Sequence, residues 1–231
     1  MKRGKKYREA LKKFDKNTLY EPVRALSLVK ELAYAKFDET VELSVKLHLK
    51  KSQSVRDTLV LPHQFTGEKK ILVFAKGDKA QEARDAGATF VGDDDLVERI
   101  KGGWMDFDVA VATPDMMKDV GRLGPILGRR GLMPNPKTQT VTFEIRQALE
   151  ELRKGRVEYR SDKTGVVHFA VGKVSMAPEK IAENVTTILQ EIERKRPSDA
   201  KGEFLQTVVV SSTMSPGIRM DFKAKKQGDR K

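Results

Sequence analysis

The chain has 231 residues, 39% of them hydrophobic and 34% charged, which is typical of a folded protein of one or two domains and unlike a disordered chain. It has no cysteine, no apolar run near the ~20 residues of a membrane helix and no signal-peptide pattern, which excludes disulfides and thiolate chemistry and predicts a cytoplasmic protein without membrane contact. The formal net charge of +12 lies at the two ends, with +7 in residues 1–66, 0 in residues 67–159 and +5 in residues 160–231, and this distribution favours a polyanionic partner.

Two helices are predicted before the first strand. Tyr7, Leu11 and Phe14 recur at helical spacing among lysines, which predicts a basic amphipathic helix suited to lying on a phosphate backbone. A second helix is predicted to begin at Pro22, a residue favoured in the first helical turn, and to end near Ala35. Its buried stripe is predicted to comprise Val23, Leu26, Val29 and Leu32.

Alternation of apolar and polar residues predicts strands near both ends of the chain. Residues 40–49 alternate without interruption and predict the clearest strand, and a second strand at 57–61 is expected to form a hairpin with it. After Gly155 the alternation returns, with turn residues at 161–165 that predict another hairpin. The remaining elements are predicted as strands at 156–160 and 167–171, a helix at 178–194, strands at 204–212 and 218–222, and a loosely ordered polar tail from Lys223.

The middle of the chain has the pattern of an α/β domain. Short apolar strands alternate with helices in the order βαβαβ, which predicts a small parallel sheet covered by helices. Thr113 and Pro114 are expected to cap and begin a further helix, a rigid surface loop is expected at 121–131, and a last helix is predicted at 142–154. The βαβαβ elements are predicted at 71–75, 78–86, 89–91, 93–100 and 108–112.

This order of elements predicts an α/β fold with an insertion. Residues 1–66 and 160–231 would form one discontinuous α+β domain, in which both chain ends share an antiparallel sheet. Residues 67–159 would form an inserted Rossmann-like domain. The two connections, near Gly67 and Gly155, are expected to act as a double hinge that permits opening and closing.

No residue pattern predicts catalysis or a cofactor. The histidines His48, His63 and His168 fall on different elements and lack the spacing of metal ligands, and no serine lies in a nucleophile-elbow motif. The glycine-rich segment 121–131 lacks both the ending of a P-loop and the spacing of a dinucleotide-binding fold. We therefore predict no cofactor and no metal. A secondary RNA contact is the most that we expect of the arginines in this segment, Arg122, Arg129 and Arg130.

The terminal domain carries side chains suited to RNA. Lys36 and Phe37 precede the strand at 40–49, and cations and hydroxyls bind phosphates and 2′-hydroxyls while an aromatic ring packs on a sugar or base. The hydroxyl-rich segment 211–217, with Met214 as a flexible apolar residue, suits close approach to an RNA minor groove. Each segment by itself is also consistent with a solvated sheet face or an ordinary turn. One face of the strand is predicted to carry Thr40, Glu42, Ser44, Lys46 and His48.

Longer motifs connect the chain with a known family. The segments Trp104–Asp108, Ala112–Asp115 and Leu127–Lys137 resemble those of the bacterial large-subunit ribosomal proteins of the L-one family, and the run Gly-Leu-Met-Pro-Asn-Pro-Lys is highly specific. The resemblance extends nearly from end to end. Further matching segments are Ala35–Glu42, Asp162–Gly165, Val171–Lys173 and Thr213–Met214, whereas Ser215 stands where the family motif has glycine.

The resemblance implies a two-domain protein that binds large-subunit ribosomal RNA at the mobile stalk beside the exit site. Such a protein would help deacylated exit-site tRNA to leave, would repress translation of its own operon mRNA and would be a monomer off the ribosome. Together with the residue patterns above, the resemblance predicts an RNA-binding set. Its members are Lys36, Phe37, Thr40, Glu42, Lys46, Thr164, His168, Lys173, Ser211, Thr213, Met214 and Ser215.

Two other function classes compete with this prediction. A nucleotide-dependent enzyme acting on RNA would use the βαβαβ module to bind its nucleotide. A protein–protein module would carry its basic ends only as solvated faces. ATP or NAD binding by residues 67–159 would favour the enzyme, and partner binding that is insensitive to salt, without RNA retention, would favour the module.

Overall fold

The structure is a computed structural model that describes residues 4–50, 53–65, 67, 69–197 and 202–222, so the predicted tail from Lys223 lies outside the described residues. The chain folds as two compact units, one made of Met1–Phe65 with Tyr159–Lys231 and the other of Thr66–Glu158. Antiparallel and parallel sheets with covering helices confirm the predicted mixed α/β class.

The helices and strands follow the predicted order closely. Short 3-10 helices lie at Pro114–Met116, Gly128–Arg130 and Pro136–Thr138. The main elements are α1 (Lys5–Leu11), α2 (Pro22–Leu32), β1 (Thr40–Leu47), β2 (Arg56–Val60), β3 (Ile71–Phe74), α3 (Asp78–Asp85), β4 (Phe90–Gly92), α4 (Asp94–Lys101), β5 (Val109–Ala112), α5 (Met117–Gly121), α6 (Gly124–Leu127), α7 (Ile145–Arg153), β6 (Arg156–Arg160), β7 (Val166–Lys173), α8 (Pro178–Arg194), β8 (Leu205–Ser212) and β9 (Ile218–Met220).

The first unit is built on a four-stranded antiparallel sheet in the order β7-β1-β8-β9. The apolar residues of β1 are fully buried. The helices α2 and α8 pack on each other and on the other strands of the sheet, α2 on β8 and β9 and α8 on β7. Burying each apolar side chain of β1 contributes ~1.5–3 kcal/mol, which is enough to fix which face of the strand points inward. The buried residues of β1 are Val41, Leu43, Val45 and Leu47.

The predicted hairpins are wrong. β2 pairs with β6 in a separate two-stranded sheet, while β1 pairs with β7 and β8, so the turns after β1 and after β6 each connect two different sheets. The reason is a match of length and pattern. β1, β7 and β8 each have eight residues with regular burial of alternate side chains, whereas β2 has five residues and buries only Leu59 among them.

The second unit contains a three-stranded parallel sheet in the order β4-β3-β5. All four residues of β3 are buried because helices cover both faces of the sheet. Leu72 and Phe74 pack with α4 and α5, and Ile71 and Val73 pack on the opposite face with α3 and α7. The predicted βαβαβ order of elements is therefore present in the fold.

The segment 121–131 was predicted as a surface loop, but it is helical. Leu123 and Leu127 are fully buried and hold the segment against the core. It forms α6 and a 3-10 turn, and the turn ends at Gly131, whose φ of 71° is left-handed. The helix at Pro114 begins as predicted, although the Thr113 hydroxyl donates to the Phe74 carbonyl at 3.4 Å instead of capping it. This segment is a packed helical element and not a surface loop.

The second helix begins at Pro22 as predicted, but it departs from its prediction in its buried stripe and at its C-terminal end. Val23 is 48% exposed and lies outside the buried stripe, whereas Leu26, Val29 and Leu32 are buried as predicted. α2 ends at Leu32 and not near Ala35, because Ala33 adopts an extended conformation. The segment that follows carries the first predicted RNA-binding residues.

Candidate nucleic-acid interface

The residues of β1 that point away from the core define an exposed sheet face. The strand register places Thr40 opposite Lys173, and Glu42 between Ala170 and Ser211. Ser44 lies between His168 and Val209, and Val209 lies opposite Arg219 on β9. We call this surface, with the loop Lys36–Phe37 and the turn Thr213–Ser215, the polar face. It brings together residues from three distant parts of the sequence.

Side-chain hydrogen bonds join β1 to β7 across this face. Lys173 Nζ donates to Thr40 Oγ1 at 2.8 Å, and Ser44 Oγ and His168 Nδ1 are 2.9 Å apart. Lys46 Nζ donates to the carbonyl of Thr164. These bonds link predicted residues of β1 with predicted residues of β7 and of the turn before it. His48, beyond the end of β1, is instead paired with Gln206.

The turn that contains Thr164 is closed by Asp162. Its Oδ1 accepts hydrogen bonds of 2.8 Å from the N–H groups of Thr164 and Val166, and the Thr164 hydroxyl also donates to this carboxylate. The Val166 N–H and the Thr164 hydroxyl, together with the Thr164 N–H and nearby His168, lower the pKa of Asp162 despite some desolvation. The turn is therefore held by an ionised carboxylate at neutral pH, and Thr164 is exposed at its tip.

The turn after β8 continues the pairing of β8 with β1. The Thr213 N–H donates to the Thr40 carbonyl, and Thr213 Oγ1 accepts from the Thr40 N–H, both at 3.1 Å. Ser215 Oγ accepts from the Ser212 N–H at 2.8 Å, so the hydroxyl of Ser215 closes the turn. Ser215 does not have a positive φ, so this backbone accommodates serine without strain. The Met214 side chain remains 47% exposed.

Glu39 connects this turn with the loop that carries Lys36 and Phe37. Its side chain is 1% exposed, and its two oxygens accept hydrogen bonds from four donors. Burial by itself would raise the pKa of this carboxyl, but hydrogen bonds from Ser212, Ala35, Met214 and Tyr34 outweigh it and lower the pKa. Sequence patterns gave no sign of this role, since a glutamate beside a strand is normally solvated.

Two exposed apolar side chains lie on the segments that Glu39 connects. Phe37 is 56% exposed in the loop, and Met214 is the exposed apolar residue of the turn. Tyr34 Oη donates to the Met214 carbonyl at 2.9 Å, and Lys6 Nζ of α1 lies 5.9 Å from the centre of the Tyr34 ring. The basic helix α1 thus places a cation beside this end of the polar face.

The charges of the polar face are mostly positive. Glu42 is an exposed carboxylate among these cations, and it lies opposite the half-buried Ser211. A carboxylate in this position can accept hydrogen bonds from hydroxyl and amino groups, and it repels phosphates. Sequence reasoning predicted the strand at 218–222 but missed Arg219 as a site residue, because only the pairing of Val209 with Arg219 shows that it joins this face. The cations are Lys36, Lys46, Lys173 and Arg219.

The described part of the chain contains no group of three or more His, Cys, Asp and Glu side chains that could hold a metal ion. His63 is paired with Glu183 at 2.5 Å, and the buried side chain of Asn184 bonds both the N–H and the carbonyl of His63.

Within the same described ranges, no helix combines the length and the apolar character needed to cross a membrane.

Comparison with known proteins identifies the family. The profile of the ribosomal protein L1p/L10e family matches residues 29–216. The chain is 62% identical over 223 residues to large ribosomal subunit protein uL1 of Treponema denticola, covering 96% of this chain and 99% of the relative. The corresponding protein of Borreliella afzelii is 60% identical over 221 residues, covering 96% and 98%, and that of Borrelia hermsii 58% over 221 residues, covering 96% and 99%. The chain therefore belongs to the ribosomal protein L1p/L10e family.

Proposed function

We propose that this chain is a protein of the large ribosomal subunit and binds ribosomal RNA through the polar face. The observation that carries the proposal is the convergence of residues 36–46, 164–173 and 211–219 on one exposed surface. The unit that contains this surface carries the whole net charge of +12, and the other unit is neutral. A basic surface with hydroxyls and exposed apolar groups has the chemistry of RNA recognition.

Different groups of this face would contribute attraction and specificity. The cations would neutralise phosphates and release counterions, which supplies affinity without selecting a sequence. Phe37 would pack on a base or sugar, and Met214 would fit a shallow minor groove, where contact depends on RNA shape. Glu42 would disfavour orientations that bring a phosphate against it.

Membership of the family also supports a finer proposal. We propose that the RNA is the stalk region beside the exit site, and that the protein assists release of deacylated tRNA from there. We also propose that it represses translation of its own operon by binding its mRNA, and that it is a monomer off the ribosome. A single polar face supports competition between ribosomal RNA and mRNA, since both would need the same side chains.

The enzyme alternative does not agree with the family, whose members are ribosomal proteins. The glycine-rich segment also does not favour an enzyme. It has a packing role, because Leu123 and Leu127 are buried in the core. We therefore propose no nucleotide-dependent step.

Two matched phenylalanine variants of the full chain test the proposal. Phe37 and Phe143 are both about half exposed, at 56% and 51%, but only Phe37 lies on the polar face. Phe37→Ala should raise the dissociation constant for a stalk rRNA fragment about tenfold or more, because stacking on an aromatic ring contributes ~1–3 kcal/mol per base. Phe143→Ala should leave it unchanged. Equal affinities for both variants, or equal losses, would refute the proposed face.

A further inference from the structure

Four hydrogen-bond donors from two distant segments converge on the Glu39 carboxylate. Oε1 accepts from the N–H groups of Tyr34 at 3.2 Å and Ala35 at 2.8 Å. Oε2 accepts from Ser212 Oγ at 2.5 Å and from the Met214 N–H at 3.0 Å. One oxygen therefore holds the loop after α2, and the other holds the turn after β8.

The backbone of Met214 is fixed at both of its polar groups. Its N–H donates to Glu39, and its carbonyl accepts the Tyr34 hydroxyl at 2.9 Å. Thr213, the residue before it, is bonded to both backbone groups of Thr40. The side chain of Met214 is thus left exposed on a turn whose backbone is already ordered.

A charged acceptor suits this position better than a neutral one. A carboxylate accepts on both oxygens, and hydrogen bonds to an ionised acceptor are stronger than those between neutral groups. An amide would keep one accepting oxygen and present an NH₂ group to the other pair of donors. The Tyr34 and Ala35 N–H groups can only donate, whereas the Ser212 hydroxyl can also accept, so the NH₂ group of glutamine is expected to face Ser212 and Met214. This orientation leaves the Met214 N–H facing a donor.

We propose that Glu39 is a positioning residue that holds the Phe37 loop and the Met214 turn in their RNA-binding arrangement before RNA arrives. The inference rests on the proposed function, and it assigns Glu39 no contact with RNA. Affinity falls in proportion to the fraction of molecules in the binding-competent arrangement. A loop and a turn that are already ordered therefore bind more tightly than mobile ones.

Glu39→Gln in the full chain tests the proposal, with Glu179→Gln as a matched control. Glu179 is exposed in the first turn of α8, and its replacement changes the net charge by the same amount. In Glu39→Gln we expect amide hydrogen exchange of Met214 in the free protein to become at least tenfold faster. We expect the dissociation constant for the stalk rRNA fragment to rise at least tenfold. Both quantities should stay at the wild-type value in Glu179→Gln.

Binding to an unrelated RNA duplex separates positioning from folding. The charge that supplies non-specific affinity is retained in Glu39→Gln, so its duplex affinity should equal that of Glu179→Gln. Equal loss of specific and non-specific binding, or wild-type exchange and wild-type specific affinity, would overturn the proposal. A wild-type protein that does not bind the rRNA fragment would refute the proposed function instead, while the Met214 exchange rate would still test the role of Glu39.

Ser212→Ala provides a second variant in case Glu39→Gln does not fold. It removes one of the two donors to Oε2 and leaves the carboxylate in place. We expect a smaller change in the same direction, with Met214 exchange and the rRNA dissociation constant each raised about threefold. Wild-type values of both in a folded Ser212→Ala variant would overturn the proposal.

Discussion

Arg219 allows a specific test of electrostatic attraction between the polar face and RNA, because the strand register places it on that face. It is exposed on β9, opposite Val209, and completes a row across the sheet with Ser44 and His168. As one of the cations of the polar face it should neutralise a phosphate of the bound RNA. Arg219→Ala should then weaken binding to all RNA sequences and make binding less sensitive to salt.

The size of the effect follows from the other cations of the polar face. If Lys36, Lys46, Lys173 and Arg219 each neutralise one phosphate, the logarithm of the binding constant should fall with the logarithm of salt concentration with a slope of about −3. Between 50 and 200 mM salt, the affinity of the wild-type protein would fall about 60-fold. With one contact fewer, the slope would be nearer about −2.2 and the loss about 20-fold.

Fluorescence anisotropy with a labelled stalk rRNA fragment, at several salt concentrations, would measure both slopes. Arg84→Ala is the matched control, since Arg84 is exposed in the last turn of α3 in the neutral unit. Its slope should equal that of the wild-type protein. An unchanged slope in Arg219→Ala, or the same reduction in Arg84→Ala, would show that the register does not identify a phosphate contact.

Three further predictions concern specificity, acid stability and the core. Met214→Asp and Thr213→Val should each raise the dissociation constant for rRNA at least tenfold, while the free energy of unfolding falls by no more than ~1.5 kcal/mol. Wild-type affinity in both variants would contradict the proposed role of the polar face. Because the pKa of Glu39 is below its ordinary value of 4.5, its contribution to stability is present above that pH and is lost as pH falls through the folded-state pKa. The difference in unfolding free energy between wild type and Glu39→Gln should therefore shrink below about pH 4.5 in acid titrations of chemical denaturation, and a constant difference would contradict it. Leu43→Ala, at a fully buried position, should lower the unfolding free energy by ~2–5 kcal/mol in the same assay, and a loss below ~1 kcal/mol would show that the sheet is not packed there.

Local sequence patterns predicted the elements well where the pattern was long. The helix at 178–194 has the predicted bounds, and β1 begins at the predicted Thr40. The exposed and buried faces of β1 also follow from its alternation. The strand predicted at 218–222 is present as the shorter β9, whereas α6 was missed, because four residues are too few to show a helical period. The RNA contacts of the predicted site residues stay a prediction.

The sequence by itself determined the class of the fold, the placement of the positive charge and, through its motifs, the family. Only the tertiary structure decided that β1 pairs with β7 and β8 and not with β2, that Glu39 is buried, and that Arg219 joins the polar face. The physical reason is that a period of two is a property of one strand, and any strand with matching length and alternation can be its partner. Burial of a charged residue likewise depends on donors from elsewhere, and those of Glu39 come from both ends of the chain.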